Sequence, residues 1–553
     1  MRTDPLPWTS ANGIVLADRV PAGVRAAWTA RGLCPGLDLY SLFSRHVRRT
    51  PEREAVADET GSLDFAGLDA RVRRAAAALA AAGRGTADII AVLLPNGRDA
   101  VVAELAVAAV GAVALPIPHT RGRRDIAGLL NRSRAAALIT VPELALGLRA
   151  GLPYLEQTWT FGPPTPGARS LDEVAEHDVR AWRPACPDAE RPARILLSSG
   201  TESEPKMVAY SHNAMAGGRG AYLRAVLGED GPTRNLLLVS LASSYGSCGT
   251  SVLLARHGGT LILRARFDAA DALRAVERHR PTHLYGVPTM LRRMADSAAE
   301  ADLSSLRRVV SSAQPLHGEA RQACARRFGV PLVNVYGSTD GVNCHTGRAP
   351  DRWAPGLAGT PDPAVAEITI RDAEGEPVPP GEPGEIWALG PMTPLCYVAA
   401  PDLDDRYRAP GGWVRTGDLG RLDPDGTLWV LDRIKRVVMR GGLSISPAEV
   451  ERELSAHPDV ADAFCVPVPD DDLGERMCAC VSPRPGARPP SPAELIVYLR
   501  EERGLDRRKL PERFLWLPEL PLGPTGKVCA ATLTRLAAQS AVPVPRSPMR
   551  SGR

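Results

Sequence analysis

Residues 68–96 read "LDARVRRAAAALAAAGRGTADIIAVLLPN". The part up to Gly83 carries apolar residues at helical spacing and stops at a glycine, as a helix with a C-terminal glycine does. "DIIAVLLPN" (88–96) is a continuous apolar run of strand length, closed by Pro95 and Asn96. A strand without a polar face is covered on both sides. "AVVAELAVAAVG" (100–111) then predicts a second helix and "AVALPI" (112–117) a second buried strand. The alternation recurs at "AALITV", "RILLSS", "LLLVSLA", "GTLILRA", "HLYGVP" and "RRVVSSA", each adjoining a helical stretch. Such a pattern predicts an α/β fold built on largely parallel sheets covered by helices.

After about residue 355 the texture changes. "AEITIRDAEGEPVPPGEPGEIWALG" and "WVRTGDLGRLDPDGTLWVLDRIKRVV" read as short strands with turns at "TGD" and "DPDG", a small antiparallel β unit. "SPAEVERELSAH" predicts a helix with Ser446 as N-cap and Pro447 at its first position. The expected organisation is a large N-terminal domain (1–434, with the β unit at about 355–434) and a smaller, mobile α+β lid (435–540). The Pro-rich, basic 541–553 is expected to be a disordered tail.

A chain of 553 residues exceeds one ordinary core. Lys+Arg of 67 against Asp+Glu of 63 is near balance, which gives no electrostatic reason for nucleic-acid or membrane partners. The start, "MRTDPLPWTSANG", lacks a cationic segment followed by an apolar run, and no apolar stretch is long enough to span a bilayer. Ten scattered cysteines suggest neither a disulfide frame nor a zinc site. A cytoplasmic protein, monomer or homodimer, is expected.

"SSGTESEPK" (198–206) follows the strand "RILLSS", at the carboxyl end where ligands of such sheets bind in loops leading to helices. Hydroxyls, a glycine and a lysine can hold phosphate. A polar turn has the same composition, and this stretch alone does not separate the two.

Order along the chain does. Ser198–Lys206, "YGSTD" (336–340), Thr416-Gly417-Asp418, Arg433 with Lys435, "GGLSISPAEVE" (441–451) and Gly526-Lys527 fall in succession. In this the sequence resembles the adenylate-forming superfamily: acyl-CoA ligases, peptide-synthetase adenylation domains and luciferase-like enzymes. The resemblance covers nearly the whole chain. It implies a two-step reaction in which a carboxylate attacks the α-phosphate of ATP, with Mg2+ present, and coenzyme A then displaces AMP. It implies Lys527, Thr339 and Lys206 as catalytic residues and Asp340 as the metal ligand. For the nucleotide it implies Ser198, Ser199, Thr201, Ser312, Ala313, Gln314, Asn334, Val335, Tyr336, Gly337, Ser338, Asp418 and Arg433. Asp418 would accept the ribose hydroxyls, and Asn334 to Tyr336 would line the adenine slot. Lys435 would be the hinge, with Gly441, Gly442 and Leu443 beside the coenzyme A tunnel. Ser243, Tyr245, Gly246 and Gly341 would line the acyl pocket.

Departures from the family pattern gather on the first half-reaction. Ser203 stands where glycine is usual, with Glu202 and Glu204 beside it. Asp340 replaces glutamate, Ser243 a histidine, Ser312 a glycine and Ala530 an arginine. Full two-step ligation is the leading expectation, with a bulky, cyclic or polycyclic acid as substrate because the acyl residues are small. A looser resemblance is to actinomycete ligases for diterpenoid acids of the platensimycin and platencin type. The alternatives are a ligase that takes a ready-made acyl-AMP from a separate adenylating enzyme, an adenylation protein loading a carrier protein, and a non-catalytic nucleotide-binding scaffold.

Overall fold

The computed structural model describes residues 7–145, 151–198, 205–228, 233–312, 316, 318–346, 354, 356–436, 438–440, 443–445, 447–470, 474–505, 507–523 and 528–543. The helix Phe65–Ala81 starts where the Asp64 side chain accepts from Gly67 N. It ends at Gly83, whose φ of 80° sits in the region only glycine enters without strain. The strand Ile89–Leu93 follows, buried throughout.

Two eight-stranded sheets form the body. In the first, Pro192–Leu197, Val113–Pro116, Ile89–Leu93, Ala137–Thr140, Gln157–Thr160 and Arg169–Ser170 run parallel, and Met207–Ser211 and Cys396–Tyr397 add antiparallel strands at one edge. In the second, Leu332–Gly337, Arg308–Ser312, His283–Gly286, Arg234–Leu237, Thr260–Leu263 and Glu54–Asp58 are parallel, with an antiparallel strand at each edge. One hydrophobic core joins both sheets, and the helix Arg98–Ala109 lies within it. Ten of that helix's twelve residues are buried, and past its first turn all but Glu104 are apolar.

A five-stranded antiparallel sheet contains Leu357–Gly359, Leu428–Arg433, Val414–Leu422, Gly384–Leu389 and Glu367–Arg371. The last sheet is built around the long pair Val460–Asp470 and Gly474–Pro483 and has its own core with the helices Pro447–Ser455 and Pro492–Val497. Ser446, the expected cap of the first of these helices, lies outside the described residues.

Three expectations are corrected here. "SSGTESEPK" does not lead into a helix: it joins Pro192–Leu197 to the antiparallel strand Met207–Ser211, so it crowns a hairpin. "TGD" is not a turn but part of the strand Val414–Leu422, where the register against Gly384–Leu389 shifts and Gly417 takes a φ of 69°. Val542–Pro543 pairs with Phe514 and Arg513, so the stretch expected to be a disordered tail is ordered strand at its start, through residue 543. Among the described residues no helix is long and apolar enough to cross a membrane.

Candidate active site

The neck of the 198–206 hairpin is closed by two bonds. Ser198 N donates to Lys206 O at 2.9 Å, and Lys206 N donates to Ser198 Oγ at 3.0 Å. Ser199 and Thr201 lie outside the described residues, as do Ala313 and Gln314. The closed neck turns the Lys206 side chain over the Tyr407 ring, with Nζ 3.6 Å from its centroid and 5.7 Å from that of Tyr397. An ammonium at that distance is held by the ring's negative face.

Tyr397 links this cation to the expected metal ligand, since its hydroxyl donates to Asp340 Oδ1. Asp340 is buried in a tight turn, its N–H donating to Ser338 Oγ at 3.0 Å. Burial first, and then the charge of Asp340, push the Tyr397 hydroxyl far above its ordinary range, so it stays a donor. Thr339 is buried beside Asp340, and its carbonyl accepts from Tyr210 OH at 2.9 Å. At Gly337 a Cβ would stand 3.1 Å from Asn343 Nδ2, so a larger residue would press on the same turn.

The second cluster forms where the five-stranded sheet meets the end of Leu332–Gly337. The bulge at Gly417 delivers Asp418 to a buried position, where Oδ2 accepts from Tyr336 OH at 2.7 Å and Oδ1 pairs with Arg433 Nε at 2.8 Å. Attraction to Asp418 raises the Arg433 guanidinium pKa, ahead of the opposing effect of burial. Burial, and then the adjacent carboxylate, hold the Tyr336 hydroxyl well above its usual range. Strand alternation separates the three expected adenine-slot residues. Asn334 and Tyr336 share one face, whereas Val335 is buried in the core and offers only its carbonyl, which accepts from Ser312 Oγ at 2.9 Å. Asn334 Oδ1 is buried and has no partner among the described residues.

At the acyl end, Ser243 Oγ donates to Ser240 O at 2.7 Å and accepts from Gly246 N at 2.9 Å. Tyr245 OH donates to Val310 O at 2.9 Å, fixing the ring against the second sheet. Two glycines expected to make room do something else. A Cβ on Gly246 would stand 2.0 Å from Ser240 O, and one on Gly341, whose φ is 112°, 2.4 Å from Pro394 Cδ. Their smallness answers to chain packing, so it is not evidence for a bulky acid.

Sequence reasoning missed three groups here. Tyr397 and Tyr407 come from elements far along the chain from the residues they serve, and no motif spacing marks them. Arg219, in the helix Gly218–Leu227, is buried and donates from Nη1 to Ser244 O at 3.1 Å and Ser247 Oγ at 2.9 Å. Its only sequence signal is a lone charge within the small-residue run "AMAGGRGAY".

Lys435 lies in a 3-10 turn, Ile434–Arg436, and Leu443 opens the strand Leu443–Ile445. Gly441, Gly442 and Lys527 lie outside the described residues. Asp432 ties the end of the strand Leu428–Arg433 to the helix Pro447–Ser455: its carboxylate accepts from Arg433 N at 2.7 Å and from Ala448 N, in the first turn of that helix, at 3.2 Å. Among the described residues no group of three His, Cys, Asp or Glu side chains could cage a metal. A lone buried carboxylate among hydroxyls does suit Mg2+ that is held mostly by phosphate oxygens and water.

The chain matches the AMP-binding enzyme family over residues 43–398 and the AMP-binding enzyme C-terminal domain over residues 449–527. It is 32% identical over 538 residues to the 2-hydroxy-7-methoxy-5-methyl-1-naphthoate–CoA ligase of Streptomyces carzinostaticus, covering 92% of this chain and 94% of the relative. It is 32% identical over 541 residues to the salicyl-AMP ligase / salicyl-S-ArCP synthetase of Mycobacterium tuberculosis, covering 93% of each. Among solved structures, the amide bond synthetase McbA of Marinactinospora thermotolerans superposes with a TM-score of 0.79 at 30% identity, over 90% of this chain and 99% of McbA.

Proposed function

The chain belongs to the AMP-binding enzyme family and is an acid–thiol ligase working through an acyl-adenylate; on that premise we propose that it converts a cyclic carboxylic acid to its coenzyme A thioester by both half-reactions. The observation that carries the reading is Asp418, buried and held by Tyr336 and Arg433 from two other segments. A carboxylate fixed this way presents acceptors to a ribose diol with little reorganisation on binding. Asn334 Oδ1, buried without a partner among the described residues, suits the exocyclic amine of adenine.

In the first step an oxygen of the acid attacks the α-phosphorus and the bond to the β-phosphate oxygen breaks, releasing pyrophosphate. Lys206, a cation beside the Asp340 turn, and Lys527 balance the charge of the reacting oxygens. Asp340 and the adjoining Thr339 would hold Mg2+, which when bound neutralises phosphate oxygens. In the second step the coenzyme A sulfur attacks the acyl carbon, the acyl–phosphate oxygen bond breaks and AMP leaves. The hinge is Lys435, between a body ending at 434 and a lid of 435–540, with Gly441, Gly442 and Leu443 beside the pantetheine path. Asp432, bound to Ala448 N, is a contact specific to one lid pose.

The cyclic nature of the acid is supported by the naphthoate and salicyl substrates named for the two relatives. The test is a panel of aryl and alicyclic acids with ATP and Mg2+, following pyrophosphate without coenzyme A and thioester with it. Thioester formed only from synthetic acyl-AMP would show that Ser203, Glu204 and Ser243 have cost the chain its first step. Acyl transfer to a carrier protein but not to coenzyme A would replace the acceptor.

A further inference from the structure

The helix Gly218–Leu227 carries a buried cation that no carboxylate among the described residues answers. Arg219 is 4% exposed. Its Nη1 donates to Ser244 O and Ser247 Oγ, Nη2 reaches Ser244 Oγ only at 3.4 Å, and Nε has no hydrogen-bond partner among the described residues. Its guanidinium carbon lies 4.9 Å from the centroid of the Tyr210 ring.

Three other buried arginines are neutralised. Arg194 pairs with Glu104 at 2.7 Å, Arg25 with Asp18 at 2.9 Å and Arg264 with Asp271 at 3.1 Å. Among the described residues no carboxylate lies within ion-pair distance of Arg219. Asp340 influences the same Tyr210 hydroxyl, but its carboxylate is engaged by Tyr397 and Ser338. A desolvated charge with only neutral partners is costly to keep. The ring of Tyr210 and three serine oxygens offset part of that cost, and an anion would offset more.

Geometry says where the anion would sit. Nη1 is occupied by protein oxygens, while Nε and Nη2 form the side edge of the guanidinium, the fork that matches the two oxygens of a carboxylate. The guanidinium borders the loop of the expected acyl residues Ser243, Tyr245 and Gly246: Nη1 bonds to Ser244 O and Ser247 Oγ, and Nη2 of the free edge lies 3.4 Å from Ser244 Oγ. Tyr210 separates it from the chemistry: the guanidinium lies over the ring, and the hydroxyl is bonded to Thr339 beside Asp340.

We infer that Arg219 is a specificity-determining residue that receives a second anionic group on the acyl substrate, a carboxylate or sulfonate set away from the carboxylate that is activated. The inference rests on the ligase reading above and narrows its substrate from a cyclic acid to a cyclic diacid. The distal anion is spectator chemistry: it forms no bond, and its ion pair anchors the ring so that the reacting carboxylate is presented to the α-phosphate.

Two measurements test it, one without turnover. In the first, the thermal unfolding midpoint of the full chain is followed with benzoate, benzene-1,3-dicarboxylate, cyclohexanecarboxylate and cyclohexane-1,3-dicarboxylate, for wild type, Arg219→Met and Arg219→Lys. The diacids should raise the wild-type midpoint more than the monoacids, the excess should vanish in Arg219→Met, and Arg219→Lys should keep part of it. Without any acid, Arg219→Met should unfold no lower than wild type, because it removes an unneutralised buried charge. In the second, the ratio of kcat/KM for diacid over monoacid should fall by about 10- to 100-fold in Arg219→Met, the size of one charge-assisted contact. Midpoint shifts that do not distinguish diacid from monoacid, or do so equally in Arg219→Met, overturn the inference. Arg219-dependent shifts with no thioester from any acid would uphold it and count instead against the ligase reading.

Discussion

At the proposed nucleotide end Asp418 is a buried carboxylate met by a tyrosine hydroxyl and an arginine. At the proposed acyl end Arg219 is a buried arginine met, among the described residues, by neutral groups alone. The nucleotide is common to a whole family of reactions, so a protein can prearrange the groups that receive it. The acyl group differs from enzyme to enzyme, and on the inference drawn from Arg219 the group left unneutralised reports what this enzyme receives. A preorganised end favours speed, because donors and acceptors need not reorient; an unneutralised end favours discrimination, because the wrong acid leaves a buried charge unmet.

The largest effect expected from breaking this contrast is at Asp418. Asp418→Ala strips the acceptor from Tyr336 and the partner from Arg433, and kcat/KM for ATP should fall by about 100- to 1,000-fold. Thioester formation from synthetic acyl-AMP should fall with it, because the ribose is still present in the second step. Lys527→Ala should instead slow pyrophosphate release by a similar factor while sparing the acyl-AMP reaction. Stopped assays of the two half-reactions check both; a Lys527→Ala loss equal in the two would remove its assignment to the first step. The Arg219 substitutions come next in size and move acid selectivity, leaving the KM for ATP in place.

Smaller still is the expectation for Tyr397→Phe. Removing the donor to Asp340 frees a carboxylate oxygen, and the net worth of one such bond is about 0.5–1.5 kcal/mol. The Mg2+ concentration giving half-maximal rate should shift by about 3- to 10-fold with the KM for acid unchanged. A Mg2+ titration that superposes on wild type would mean that Asp340 is not a ligand.

The least effect lies outside both ends and serves as a control on stability. His212 is fully buried, accepts from Leu39 N at Nδ1, and is held by burial down to about 4 from 6.5. A base whose folded pKa is depressed stays neutral in the fold while the unfolded chain takes up a proton. Stability is therefore present above 6.5 and lost as pH falls toward 4, by about 1 kcal/mol at pH 5.5 from this group alone. Urea midpoints at pH 7 and 5.5 check it, and His212→Gln should flatten the difference without altering acid selectivity.

Much of the fold was legible because buried strands and the helix Arg98–Ala109 announce themselves by lacking polar faces. What periodicity could not supply was the direction of a neighbouring strand. "MVAYS" is as apolar as any parallel strand, so the hairpin at 198–206 was invisible until pairing placed Met207–Ser211 antiparallel. The bulge at Gly417 depends on the register against Glu385 and Trp387, which no local pattern encodes. The proposed nucleotide residues rest on motif order, which a sequence carries in full. The acyl end was misread at its glycines, since a sequence reports a small residue alike where a ligand needs room and where a backbone atom stands 2.0 Å from a would-be Cβ. Tyr397 and Asp340 lie 57 residues apart and meet only through the sheet edge.

The measurement that bears most directly on the account is a paired assay on the purified chain with ATP, Mg2+ and the acid panel, following pyrophosphate before coenzyme A is added and thioester after. The account predicts pyrophosphate release that depends on a cyclic acid, then thioester and AMP in equal amounts once coenzyme A is present. No acid-dependent pyrophosphate release across the panel, with thioester produced from a synthetic acyl-AMP, would contradict the two-step reaction proposed for this chain.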